Sequence, residues 1–165
     1  MPLAPPITNL DELLERPAVA ALLAWRREAV LSAKFDRNEL TMYVERGSIR
    51  EACAILKDSV EAQFNFLSDL TCVDLYPSEP RFEVVYHLLS LKRKERVRLK
   101  VQLPGSAPTL ESITTVWPAA NFFEREVFDL FGVRFQGHPY LRRLLMPEDW
   151  EGHPLRKDYP VEGYR

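Results

Sequence analysis

The stretch Asn121–Pro160, NFFEREVFDLFGVRFQGHPYLRRLLMPEDWEGHPLRKDYP, changes character part-way along. Its first third has helical spacing. Phe123, Val127, Leu130 and Phe131 recur at i, i+4, i+7 and i+8 and share one face, while Glu126 and Asp129 lie on another beside Phe122. Pro118 fits the first turn, where its missing N–H costs nothing, and Gly132 supplies a stop just past the last apolar residue. An amphipathic helix of about three turns is expected. Asp129 breaks a local rule, because the dipole at a helix C-terminus disfavours negative charge by about 0.3–1 kcal/mol. A cation should compensate it. Arg125 lies one turn back, and Arg134, Arg142 and Arg143 are placed to fold back onto it.

After Gly132 the periodicity stops. Gly-His-Pro occurs twice, at Gly137–Pro139 and Gly152–Pro154, each followed by a leucine and two cations. The segment is nonetheless rich in large apolar residues, among them Phe135, Tyr140, Leu145, Trp150 and Tyr159. Disordered tails are poor in such residues, so an arm of this composition should lie against its own domain and a partner. The expected organisation is an α+β domain over residues 1–131 and an extended docking arm over 132–165.

These residues carry a resemblance. Glu124, Arg125, Glu126, Asp129, Leu130, Phe131, His138 and Arg142, with the later block Gly152–Pro160, resemble the signature of the C subunit of proton-pumping NADH:quinone oxidoreductase, respiratory complex I. In mitochondria this is the thirty-kilodalton subunit. Phe64–Pro77 (FNFLSDLTCVDLYP) and Arg81–Leu91 (RFEVVYHLLSL) extend the likeness over most of the chain. The resemblance implies a scaffold subunit of the hydrophilic arm that carries no cofactor itself. FMN, iron–sulfur clusters and quinone would belong to the assembled complex, which couples NADH oxidation to proton translocation. The implied partners are the D subunit first, then the B subunit and other hydrophilic-arm subunits. The implied location is peripheral, on the cytoplasmic face of the cell membrane or the matrix side in mitochondria, with the membrane met only through other subunits. Glu124, Arg125, Glu126 and Asp129 would hold the start of the arm. His138, Arg142, Arg143, His153, Arg156 and Lys157 would fix its turns and dock it. An equivalent subunit of a membrane-bound hydrogenase-type complex is the alternative within the same superfamily.

Outward from that stretch, the chain reads as one domain with a two-layer, mostly antiparallel mixed sheet packed by helices. Its 165 residues are 46% hydrophobic and 28% charged with a net charge of −2, the composition of a globular domain without the basic excess of a nucleic-acid binder. The apolar run Ala18–Trp25 is much shorter than the ~20 residues of a spanning helix, and Asp11, Glu12 and Glu15 before it argue against a signal peptide. Thr8 with Asp11 has the spacing of a helix cap, but Pro17 interrupts that segment, so a short turn and then a helix over Ala18–Glu28 are expected. Val30–Phe35 and Glu39–Glu45 read as a hairpin around Asp36-Arg37-Asn38. Ser48 with Glu51 suggests a capping box opening a helix over Ile49–Val60, with Ala52, Ile55, Leu56 and Ser59 inward. Phe66–Tyr76, Phe82–Leu91 and Glu95–Leu103 read as strands. The last alternates Val97, Leu99, Val101 and Leu103 against Arg96, Arg98, Lys100 and Gln102, as a half-buried strand should. A further helix is expected from Thr109 to about Trp117.

Candidate chemistry is sparse. Glu124, Glu126 and Asp129 have no nucleophile or histidine near them in sequence, so no catalytic residue is assigned. His87, His138 and His153 lack metal-ligand spacing, and a histidine before proline is better read as a turn residue donating to a carbonyl. Cys53 and Cys72 fit two buried free thiols. Lys92–Lys100 holds six cations and one acid. It has no aromatic residue for base stacking, so a solvated strand face is favoured over a free-standing interaction or nucleic-acid module. No glycine-rich dinucleotide fingerprint, phosphate loop or cysteine cluster is found.

Overall fold

A computed structural model describes residues 4–164. The Thr8–Asp11 pattern caps no helix. Asn9 Oδ1 instead accepts the Asp11 N–H at 2.9 Å, turns occupy 10–15, and Pro17 opens α1 (Pro17–Trp25). The expected continuation to Glu28 is a separate 3₁₀ turn at Arg27–Ala29.

β1 (Val30–Asp36) and β2 (Glu39–Val44) form the expected hairpin, with Arg37 and Asn38 both left-handed in the turn. That is the backbone of a two-residue turn matched to strand twist. α2 (Ile49–Asp58) is shorter than expected. The Ser48–Glu51 capping box does not form, because a 3₁₀ turn leaves Ser48 in helical rather than extended conformation. Its hydroxyl donates to Glu45 at 3.0 Å and accepts from Arg26 at 3.3 Å. The buried face of α2 is Ile49, Ala52, Cys53 and Leu56, rotated from the stripe expected around Ile55 and Ser59.

β3 (Phe66–Asp74), β4 (Phe82–Ser90) and β5 (Glu95–Leu103) complete a five-stranded sheet of order β1-β2-β5-β4-β3. Only β2 and β5 pair in parallel, so the sheet is mixed and mostly antiparallel. Register builds the core in rows. Ala33, Met42, Leu99, Tyr86 and Leu70 stand side by side and all are buried. Val19 and Leu22 of α1 and Leu56 of α2 join the same cluster. The neighbouring row, Thr41, Arg98, His87 and Asp69, faces the other way and is only half buried. The alternating segment Glu95–Leu103 is the central strand, with its apolar row in the core and its basic row on the open face.

The helix expected over Thr109–Trp117 is absent. Thr109–Glu111 is β6, and it pairs in parallel with β7 (Arg134–Gln136), which lies where no regular structure was expected. Burial of Leu110 beside Phe135 outweighs local propensity in so short a segment. Between them runs α3 (Ala120–Phe131). Pro118 precedes it in a turn rather than standing in its first turn. α3 packs on β3. Its fully buried residues are Ala120, Glu124, Val127 and Asp129, whereas Phe123, Leu130 and Phe131 are half buried. The apolar stripe thus shares the inward side with two carboxylates. Cys53 and Cys72 are buried free thiols, and burial pushes the Cys72 thiol up to about 12.

Candidate functional site

The C-terminal end of α3 is closed by the arm. The last four carbonyls of a helix have no partner within it, and cations are favoured beside them. Here each finds a donor. Phe128 O accepts the Gly132 N–H, and Leu130 O accepts the Leu155 N–H. Asp129 O accepts from Arg143 at 3.2 Å and from His153 Nδ1 at 2.8 Å. Phe131 O accepts from Arg156 Nε at 2.6 Å. Gly132 turns the chain with φ of 76°, and a Cβ there would lie 2.5 Å from His153 Nε2 and 2.6 Å from Arg156 Nη2. Glycine is required both by conformation and by space.

The Asp129 side chain fixes the arm as well. Its Oδ2 accepts the N–H groups of Leu144, Leu145 and Met146 at 2.9, 2.7 and 2.9 Å, and its Oδ1 takes Arg143 at 2.6 Å. Burial pushes this carboxyl up, but the Met146 amide, Arg143 and the other two amides outweigh it and hold the group below its ordinary range. The cation that the sequence demanded for Asp129 is therefore Arg143, joined by three amides. Arg143 also donates to Trp150 O and Gly152 O, closing the loop between the two Gly-His-Pro turns.

The other predicted residues divide. Arg125 donates to the carbonyls of Arg142 and Arg143 at 3.2 and 3.1 Å. His138 accepts the Tyr140 N–H on Nδ1, so its Nε2 carries the proton and donates to Asn121 O at 3.2 Å. Both arm histidines have pKa values lowered by burial and act as neutral turn residues donating to carbonyls. Arg142 is exposed, stacked 4.4 Å over Tyr140 and 3.8 Å from Glu148. Glu126 is exposed and makes no side-chain hydrogen bond or ion pair among the described residues, so it does not hold the arm. Lys157 contributes its backbone rather than its charge, donating its N–H to Asp74 at 2.9 Å.

Glu124 stands apart from this network. It faces the turn after β6, where Oε1 accepts the Ile113 N–H and Oε2 the Ser112 hydroxyl, both at 2.7 Å. No cation meets it among the described residues. Burial pushes its carboxyl up to about 7 against those two hydrogen bonds.

A second anchor has little signal in the sequence. Arg81 donates to both oxygens of Asp74 at 2.9 and 2.8 Å and to both oxygens of Asp158 at 2.9 and 2.6 Å. It thereby ties the end of β3 to the arm. Burial pushes Asp74 up, but Arg81 and the amides of Lys157 and Tyr76 bring it down to about 2. One signal was available. Leu70, Cys72 and Asp74 share the inner side of β3, and a carboxylate on an apolar face requires a cationic partner. Among the described residues no cluster of histidine, cysteine or acid side chains has the arrangement of a metal site.

Residues 42–165 match the family model of the respiratory-chain NADH dehydrogenase 30 Kd subunit. The chain is 50% identical over 134 residues to the C subunit of NADH-quinone oxidoreductase from Roseiflexus sp. (strain RS-1), covering 81% of this chain and 77% of that protein. It is 47% identical over 136 residues to the C subunit of the Geobacter sulfurreducens enzyme, covering 82% and 83%. Among solved structures, a chain of the membrane-bound sulfane sulfur reductase, an archaeal respiratory membrane complex, superposes with a TM-score of 0.74 at 28% identity, over 92% of this chain and 85% of that one. The trypsin-resistant fragment of Nqo5 superposes with a TM-score of 0.53 at 37% identity, over 62% and 83%. A family model matched over residues 42–165, with a relative 50% identical over 134 residues, makes the chain a member of the respiratory-chain NADH dehydrogenase 30 kDa subunit family.

Proposed function

We propose that this chain is a scaffold subunit of the hydrophilic arm of an NADH:quinone oxidoreductase, with no catalytic or cofactor site of its own. Electrons would pass from NADH through FMN and iron–sulfur clusters to quinone on other subunits, coupled to proton translocation. The arm over 132–165 docks the D subunit, close to the B subunit. No helix of the described residues is long and apolar enough to cross a membrane, which suits a peripheral location reached through partners.

One observation carries this reading. The arm is held by hydrogen bonds to backbone and buried carboxylates, yet Tyr140, Leu145, Trp150 and Leu155 remain exposed on it at 56, 59, 38 and 52%. Apolar side chains on a fixed backbone are a preorganised contact surface, since little ordering remains to oppose binding. The structural likeness to the sulfane sulfur reductase chain favours a second reading, the equivalent place in a related respiratory membrane complex.

Tagging the chain, solubilising native membranes gently and identifying what co-purifies separates these. An assembly that oxidises NADH with quinone supports the first reading, and a multisubunit assembly without that activity supports the second. Asp129→Ala should lower the amount of assembled complex more than the turnover of what assembles. Normal assembly with lost turnover would overturn the scaffold role.

A further inference from the structure

The two ends of the chain's fold treat left-handed backbone differently. Along the arm and its junction, the positive-φ positions are glycines: Gly132, Gly137, Gly152 and Gly163. At the hairpin end, Arg37, Asn38, Gln63 and Lys94 hold φ of 51, 65, 47 and 56°. Glycine adopts this conformation without steric cost and asparagine tolerates it, so Arg37, Gln63 and Lys94 are the strained positions.

Sheet topology brings these turns together. Because β2 and β5 run parallel with Leu40 beside Val97, the β1–β2 and β4–β5 turns project from the same end. Between them lies a groove of 370 Å³. Half-exposed Phe35 lines it above the buried Leu40 and Phe64. Its rim carries Arg16, Arg37, Lys94 and Arg96. The two carboxylates in the lining are already neutralised, Glu39 by Arg98 at 2.8 Å and Glu95 by Arg93 at 3.2 Å. Among the described residues, none of the four rim cations forms an ion pair. Four cations that form no ion pair, one of them stacked on Phe35, complement an acidic segment. Single-stranded nucleic acid fits less well, because the one half-exposed aromatic ring is covered by the Arg16 guanidinium at 3.6 Å.

We propose that this groove is a second docking site, remote from the arm, for an acidic segment of a neighbouring protein subunit. The proposal rests on the chain being an assembly subunit. The test uses the whole assembly, with Asn38→Cys labelled by a benzophenone maleimide and Leu145→Cys on the arm as control. Cys53 and Cys72 are buried, which favours labelling at the introduced thiol. Photolysis should join position 38 to a segment rich in Asp and Glu on another subunit. Adding Lys94→Glu with Arg96→Glu should lower the yield at least ten-fold, while Lys94→Arg with Arg96→Lys should keep it. Equal yield after charge reversal, an adduct on a non-acidic segment or on nucleic acid, or adducts from position 145 alone would overturn the proposal. Adducts from neither position would overturn this docking site together with docking through the arm, whereas failure of the chain to co-purify with other subunits would overturn the assembly reading itself.

Discussion

Helix α3 buries two carboxylates completely and surrounds them in opposite ways. Asp129 meets a guanidinium and three amides, and its pKa falls. Glu124 meets one amide and one hydroxyl, and its pKa rises to about 7. Burial alone therefore does not set a carboxylate's charge; the number and kind of donors aimed at it does. Asp129 is built to stay ionised and to hold the arm through that charge. Glu124 joins α3 to the turn after β6 with a group that gains a proton near neutrality.

The largest way to break this contrast is Asp129→Ala. It leaves Arg143 and three backbone amides without their acceptor, and losing one partner of a buried pair costs on the order of 3–5 kcal/mol. Hydrogen exchange should show the loss first over residues 143–156, with a large fall in Tm. Unchanged protection there would mean that the arm is held elsewhere, with the Arg81 anchor the first candidate.

Glu124→Gln sharpens the contrast. A carboxyl whose folded pKa is raised contributes stability that is full below its ordinary 4.5 and lost as pH rises through about 7. Wild type should lose roughly 3 kcal/mol across that window, and the glutamine variant should not. Asp129 has the opposite sign. Its contribution is present above its ordinary 3.8 and is lost as pH falls below it. Chemical denaturation of both proteins from pH 4.5 to 8 checks the slope, and parallel slopes would show that Glu124 does not titrate in this range.

Gly132→Ala tests the helix end itself. The added Cβ meets His153 and Arg156 and must hold a positive φ, so a loss of about 2 kcal/mol is expected, read as Tm. The smallest effect is expected from His153→Phe. It keeps the ring that stands edge-on to Phe128 but removes the donor to Asp129 O, costing about 1 kcal/mol.

Much of the sheet was legible because β5 alternates over its whole length and β4 is a long apolar run bounded by turn residues. Glu95–Leu103 is read with its correct bounds, since a long half-buried strand leaves little freedom in the pattern. Asp129's need for a cation was equally plain, because it violates the dipole rule inside an otherwise consistent helix. What was not legible depends on partners distant in sequence. Three-residue strands such as β6 and β7 carry no period, and each exists because the other is beside it. The capping box at Ser48 fails because Glu45 and Arg26 already engage the hydroxyl. The Arg81 anchor joins residues far apart in the chain, and only the inward place of Asp74 hinted at it.

The capping of α3 by the arm also orders events during synthesis. The donors for its last carbonyls, Arg143, His153, Leu155 and Arg156, all emerge after the helix has been made. A nascent chain that has exposed Phe131 but not Arg156 holds a helix with an open, electronegative end and an uncovered Asp129. The sheet can fold in that interval, because β1–β5 draw on nothing downstream for their ladder. The segment that closes the helix, from Arg143 to Arg156, is then the last part of this unit to take shape.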